Sequence, residues 1–241
     1  MLNEKITTIL FDLDGTLLPM DTESFTQTYF KLLAKKAAPY GYEPKTLVNA
    51  VWAGTKAMVM NDGSIKNDAR FWQVFAKELG EDILRLRPVF DQFYREEFHG
   101  ARAATRENPY ARQAVEGLKA RGCQVALATN PLFPLAGQAT RLSWLGLAPE
   151  DFALVTSYES CSFCKPNPAY FAQVLEQLGR SPEECLMVGN DGREDVQAAK
   201  AAGLSVYLVT DCMEHTEGVD LSGTEQGSFR DFMEFAGLCC C

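Results

Sequence analysis

The sequence has 241 residues, 46% hydrophobic and 23% charged, the make-up of an ordinary soluble chain long enough for one large domain or a domain with an insertion. Its 32 acidic against 23 basic residues give a formal net charge of −9, and with no clustered Lys/Arg stripe this argues against a nucleic-acid or membrane-surface partner. No apolar run approaches the ~20 residues of a membrane helix and the first residues carry no signal-peptide pattern, so a cytoplasmic location is expected.

The chain opens on an apolar, β-branched run, Ile6 to Phe11, which reads as a buried strand ending at Asp12 and Asp14 with Gly15 behind them. Two carboxylates there are either an Asp/Gly turn or part of a site, since ligands of open α/β sheets bind at the carboxyl ends of the strands. From Pro19 to about Arg106 only helical periodicity follows. Thr22 to Ala38 reads as a helix capped by Thr22 or Asp21, and Pro44 to Met60 as a second, stopped by Asn61-Asp62-Gly63-Ser64. Asn67 to Leu79 is a third with Gly80 as C-cap, and Glu81 to Phe98 a fourth that Pro88 starts or kinks. This predicts an inserted bundle with its own core. Most of its aromatics, among them Trp52, Phe71, Trp72 and Tyr94, are read as packing residues rather than substrate contacts.

Strands and helices then alternate. Asn108 to Arg121 reads as a helix, Cys123 to Thr129 as a strand, Pro134 to Leu145 as a helix and Phe152 to Thr156 as a strand. Asn167 to Leu178 is a helix, Cys185 to Val188 a strand, Asp195 to Ala202 a helix closed by Gly203, and Val206 to Val209 the last clear strand. The Gly-, Ser- and acid-rich tail from Glu214 reads as loop plus a short helix near Phe229 to Phe235. Such alternation implies right-handed βαβ crossovers, so the expected fold class is α/β, a doubly wound (Rossmann-like) parallel sheet.

Three further strand ends carry polar groups suited to phosphate. Thr129-Asn130-Pro131 offers a hydroxyl and an amide, although Asn-Pro is also a common turn start. Lys165-Pro166 stands before a helix, where an ammonium could offset clustered carboxylates, although a lone lysine is usually a surface residue. Gly189-Asn190-Asp191-Gly192-Arg193-Glu194-Asp195 puts acids and glycine after an apolar strand, as suits a hard cation such as Mg²⁺.

The first stretch, Ile9-Leu-Phe-Asp12-Leu-Asp14-Gly15-Thr16, resembles the first motif of the haloacid dehalogenase-like hydrolase superfamily, and Thr129, Lys165 and the segment from Gly189 to Asp195 resemble its second, third and fourth motifs in order. The resemblance implies a core domain from residues 1–18 and 106–241 and a helical cap domain over 19–105. It implies Asp12 as nucleophile, Asp14 as general acid/base, and Thr129, Asn130 and Lys165 on the phosphate. It also implies Mg²⁺ held by Asp12, Asp14, Asp191 and Asp195. Where the family usually has its metal-binding Asp this chain has Asn190, so Asp191 is taken with one residue inserted and Asn190 is kept as the alternative.

The expected activity is Mg²⁺-dependent hydrolysis of a small phosphorylated metabolite through an aspartyl-phosphate, by a monomer or homodimer. The rival readings are a sugar-phosphate mutase and a non-catalytic phosphate- or metal-binding regulator. Cys161 and Cys164, directly before Lys165, together with Cys239, Cys240 and Cys241, raise the weaker idea of a thiol or metal switch. His99 and His215 are read as surface or packing residues.

Overall fold

The computed structural model describes residues 2–238, so Cys239, Cys240 and Cys241 lie outside the described residues. Five strands form one parallel sheet in the order β2-β1-β3-β4-β5: β1 (Thr8–Phe11), β2 (Gln124–Leu127), β3 (Cys185–Gly189), β4 (Ser205–Val209) and β5 (Glu225–Gly227). The expected α/β class with a doubly wound parallel sheet is found.

Period-2 alternation divides the strand side chains between two apolar layers. Ile9, Phe11, Val125, Leu127, Leu186, Val188, Tyr207 and Val209 face one layer, completed by helices α5 (Ala111–Ala120) and α9 (Phe229–Phe235). Leu10, Ala126, Cys185, Met187, Val206 and Leu208 face the other, covered by α7 (Pro168–Leu178) and α8 (Ala198–Ala201). The strands read as continuous apolar runs because both faces are buried.

Between β1 and α5 lie four helices: α1 (Thr22–Ala37), α2 (Pro44–Val59), α3 (Asn67–Leu79) and α4 (Arg87–Arg95). Asp21 caps α1 by accepting from Ser24 N at 2.7 Å, and Pro44 stands in the first turn of α2 where no donor is needed. The expected single helix from Glu81 to Phe98 is instead a 3-10 segment (Glu81–Leu86), α4 and a second 3-10 segment (Glu97–Ala104). Pro88, with no amide hydrogen to give, sits at the start of α4 rather than inside a longer helix. The apolar cluster of these helices runs without a break into the sheet layer that holds Phe11 and Val115.

Two strand readings need correction. Phe152 to Thr156 forms no strand; it makes one parallel bridge, Val155 to Leu127, and then leaves the sheet as the Thr156 hydroxyl turns onto the Thr129 carbonyl at 2.7 Å. The tail, read as loop and helix, contributes β5 in register with β4, Leu208 facing Gln226. The expected helix from Asp195 begins earlier, as a π-helical turn over Gly192–Gln197.

Register sets the site. Phe11 is level with Leu127 on one side and Val188 on the other, so the residues after them, Asp12, Thr129 and Asn190, emerge at one edge of the sheet. The order 2-1-3 places β1 where the winding reverses, the crevice in which doubly wound sheets bind ligands.

Candidate active site

The carboxyl end of β1 turns tightly: Gly15 N donates to Leu18 O at 2.8 Å and Leu18 N to Leu13 O at 2.8 Å. Gly15 sits at φ +85°, and a Cβ there would run into the Asn190 side chain, so only glycine allows the close approach of the two loops. Asp12 is buried, with Oδ1 accepting from Lys165 Nζ at 3.0 Å. The same ammonium reaches Asp195 Oδ1 at 2.6 Å, and Asp195 Oδ2 accepts from Asp191 N at 3.0 Å. Lys165 and Asp195 are both almost fully buried, so one cation is shared by two carboxylates away from bulk water.

Burial pushes the Asp12 carboxyl well above the usual carboxylate range, against the pull of the Lys165 ammonium, with Asp195 and Asp14 adding to the rise. Burial works against the charge on Lys165, yet Asp12 and Asp195 hold its pKa well above the ordinary lysine value. Glu194 is pushed up to about 7, chiefly by burial. It accepts from Asn130 Nδ2 at 2.9 Å, which ties the loop after β2 to the loop after β3.

Asp14 meets a residue that the sequence did not single out. Arg141, on α6 (Leu135–Ser143), has no exposed side chain; it donates through Nη1 to Asp14 Oδ2 and through Nη2 to Gln138 Oε1. Its guanidinium also lies over the Phe133 ring, 4.3 Å from the centroid. Asp14 Oδ1 and Asn130 Oδ1 are buried and have no hydrogen-bond partner among the described residues. Thr129 is buried at the end of β2, its carbonyl accepting from Thr156 Oγ1 and, at 2.9 Å, from Tyr170 Oη.

Asn190 and Asp191 face different ways. Asn190 Nδ2 donates to Cys212 O at 2.7 Å, which fixes the amide so that Oδ1 points to the first loop and accepts from Thr16 Oγ1 at 2.9 Å. Asp191 caps the π-helical turn, its Oδ1 accepting from Arg193 N and Glu194 N at 2.8 Å each, while its Oδ2 meets His215 Nδ1 at 2.5 Å. That hydrogen bond raises the His215 pKa. His215 is exposed, as a surface residue would be, but it is not without partners: with Asp191 and Glu214 it brings three ligand-type atoms within 4.8 Å of one another. His99 accepts from the Trp144 indole at 3.0 Å, as a packing residue would.

The structure thus gathers Asp12, Asp14, Thr129, Asn130, Lys165, Asn190 and Asp195 at one sheet edge and turns the Asp191 carboxylate toward His215. Arg141 escaped the sequence reading because the apolar stripe of Leu135, Ala139 and Leu142 leaves it on the opposite side, where a charge looks solvated, and Glu194 because it was read only as one of a run of acids. Cys161 and Cys164 are buried free thiols, raised in pKa mainly by burial, and belong to no metal-ligand group among the described residues. Burial in apolar surroundings makes such thiols unreactive, and nothing here supports a switch.

A sequence model of haloacid dehalogenase-like hydrolases matches residues 6–203. Curated relatives include phosphoglycolate phosphatases of Shigella dysenteriae serotype 1 and Escherichia coli O157:H7, each 29% identical over 98% of this chain and 94% of its own length. Similar solved structures include a 2-haloacid dehalogenase from Pseudomonas syringae pv. tomato (TM-score 0.62, 22% identity, 96% of this chain and 98% of the other). A HAD phosphatase from Thermococcus onnurineus is as similar (TM-score 0.62, 20% identity, the same coverage). At these identities the structural likeness speaks for the fold.

Proposed function

We propose, from the premise that the chain belongs to the haloacid dehalogenase-like hydrolase family, that it hydrolyses small phosphomonoesters with Asp12 as nucleophile and Asp14 as general acid and base. The observation that carries this is the pairing of the two acids with different cations. Lys165 holds Asp12 and Arg141 holds Asp14, so neighbouring carboxylates are kept in separate settings, as one nucleophile and one proton carrier require.

The donor set suits Mg²⁺: the Asp12 carboxylate, the Asp14 main-chain carbonyl and Asn190 Oδ1 are hard oxygens on facing loops. We place the third ligand on Asn190 because its Oδ1 faces the first loop, where Thr16 Oγ1 is its one donor among the described residues, whereas the Asp191 carboxylate is turned to two backbone amides and His215, and that of Asp195 to Lys165 and Asp191 N. When bound, the ion would neutralise charge on the phosphoryl oxygens and keep Asp12 ionised.

Asp12 attacks phosphorus as the ester P–O bond breaks, and the leaving oxygen takes a proton from Asp14. Because Arg141 engages Asp14 Oδ2, the proton is carried on Oδ1, the oxygen without a partner. Asp14 then receives a proton from the water that attacks phosphorus and releases Asp12. Thr129 and Lys165 steady the transferring group, with Asn130 in support. In this reading residues 1–18 and 106–241 are the core domain and 19–105 the cap that faces the leaving group.

The relatives' phosphoglycolate belongs in the panel of esters to be assayed with Mg²⁺. Asp12→Asn should abolish turnover of whichever ester the native protein hydrolyses while leaving the fold intact by circular dichroism. Equal rates from native and Asp12→Asn protein would overturn the assignment.

A further inference from the structure

Beside Asp14 opens a cavity of about 230 Å³ between the inserted helices and the loop after β2. Among the described residues nineteen line it and eleven of these are aromatic; Asp14 is the only one of them with a formal charge. A dry apolar cavity of ~150 Å³ is enough to take up benzene, so this one has room for a ring with substituents. The packing reading of the inserted aromatics is thereby amended: Trp52, Phe71, Trp72 and Tyr94 all line the space, and Trp52 is 52% exposed, standing beside Phe30 with ring centroids 5.3 Å apart.

The polar groups in the wall other than Asp14 are neutral. Tyr29 and Tyr94 hold each other hydroxyl to hydroxyl at 2.9 Å, and burial pushes the Tyr29 phenol up to about 12 and raises that of Tyr94. Thr22, Thr26 and Thr55 supply only hydroxyls. The nearby cations are already matched, Arg141 by Asp14 and Lys165 by Asp12 and Asp195, while Arg87 lies over the Trp72 ring at 4.7 Å, is exposed and is not a lining residue. A leaving group bearing its own carboxylate would be desolvated here without a partner, which is strongly unfavourable. A neutral aromatic group would instead bury its faces against other rings and find a hydroxyl for one polar substituent.

We propose that the cavity beside Asp14 takes the leaving group of the substrate, and that this group is a neutral aromatic alcohol of one or two rings, so that the substrate class is arylalkyl or aryl phosphate monoesters. This rests on the hydrolase reading above and narrows it away from anionic esters such as phosphoglycolate.

The test uses the Mg²⁺-loaded protein and two alkyl esters of similar intrinsic reactivity, 2-phenylethyl phosphate and 2-phosphoglycolate. The expected kcat/KM favours 2-phenylethyl phosphate by about tenfold or more, chiefly through KM. Trp52→Ala, at a half-exposed position whose loss leaves the core filled, should shrink that ratio. Thr55→Lys should move it toward phosphoglycolate by placing a cation in the wall. Preference for phosphoglycolate or a sugar phosphate would overturn the inference while leaving the hydrolase reading standing. If no ester is turned over, the hydrolase reading falls, and calorimetry with 2-phenylethylphosphonate against phosphonoacetate decides the cavity's preference by itself: tighter binding of the aromatic ligand supports it, and equal or weaker binding overturns it.

Discussion

A guanidinium with no exposed surface must be matched inside the protein, and Arg141 is matched by Asp14, by Gln138 and by the face of Phe133. It touches no reacting atom in the proposed reaction and acts by orienting Asp14. Arg141→Met should therefore lower kcat by ~10²-fold, the scale of a misplaced general acid, with KM changed far less. Arg141→Lys should recover part of the rate by returning a cation to Asp14, and steady-state kinetics on the three proteins checks both. A fall confined to KM would contradict a positioning role. Asp12, Asp14 and Thr129 stood out in the sequence because each follows an apolar strand, where a polar residue has few other reasons to stand, and Lys165 because it precedes a proline and a helix in the order of the family's motifs. Arg141 and His215 were not, since their partners Asp14 and Asp191 lie 127 and 24 positions away and nothing local marks the pairing.

Among the elements, α9 is short but deeply engaged. Phe232 has no exposure, meets Phe11 edge to face at 5.5 Å and lies 5.2 Å from Tyr207, so it backs both β1 and β4. Phe232→Ala should cost ~3–5 kcal/mol of folding stability by opening a cavity under the strand that carries Asp12, as measured by denaturant titration. The apolar strands were readable because burial on both faces writes a continuous hydrophobic run. β5 was not, because Glu225-Gln226-Gly227 carries no apolar residue and is held to β4 by its backbone. The segment where the resemblance implies one inserted residue forms a π turn: Val196 N reaches back five residues to Asp191 O, and Ala198 N five to Arg193 O. A π turn absorbs one extra residue in this way. Asp195 keeps its place against Lys165, while Val196, Ala198 and Ala199 keep facing their apolar layer.

For the whole molecule, the buried acids make stability depend on pH. Glu194 ordinarily titrates at 4.5 and in the fold at about 7, so the folded protein binds its proton more tightly than the unfolded chain. The contribution is then complete below about 4.5 and lost as pH rises toward about 7. In Mg²⁺-free protein, the stability of the native form minus that of Glu194→Gln should fall across this window and level off above it, as followed by chemical denaturation at stepped pH. A flat difference would place Glu194 in contact with water. The ion pairs described at the site have a kinetic meaning as well. Lys165 stands 153 positions from Asp12, Arg141 127 from Asp14, and Asn190 174 from Thr16. No contiguous fragment contains a working constellation, so the chain must close its longest loops before the first phosphate can be bound. Recovery of activity during refolding should accordingly trail the burial of Phe11 and Leu10, and turnover becomes a late reporter of assembly.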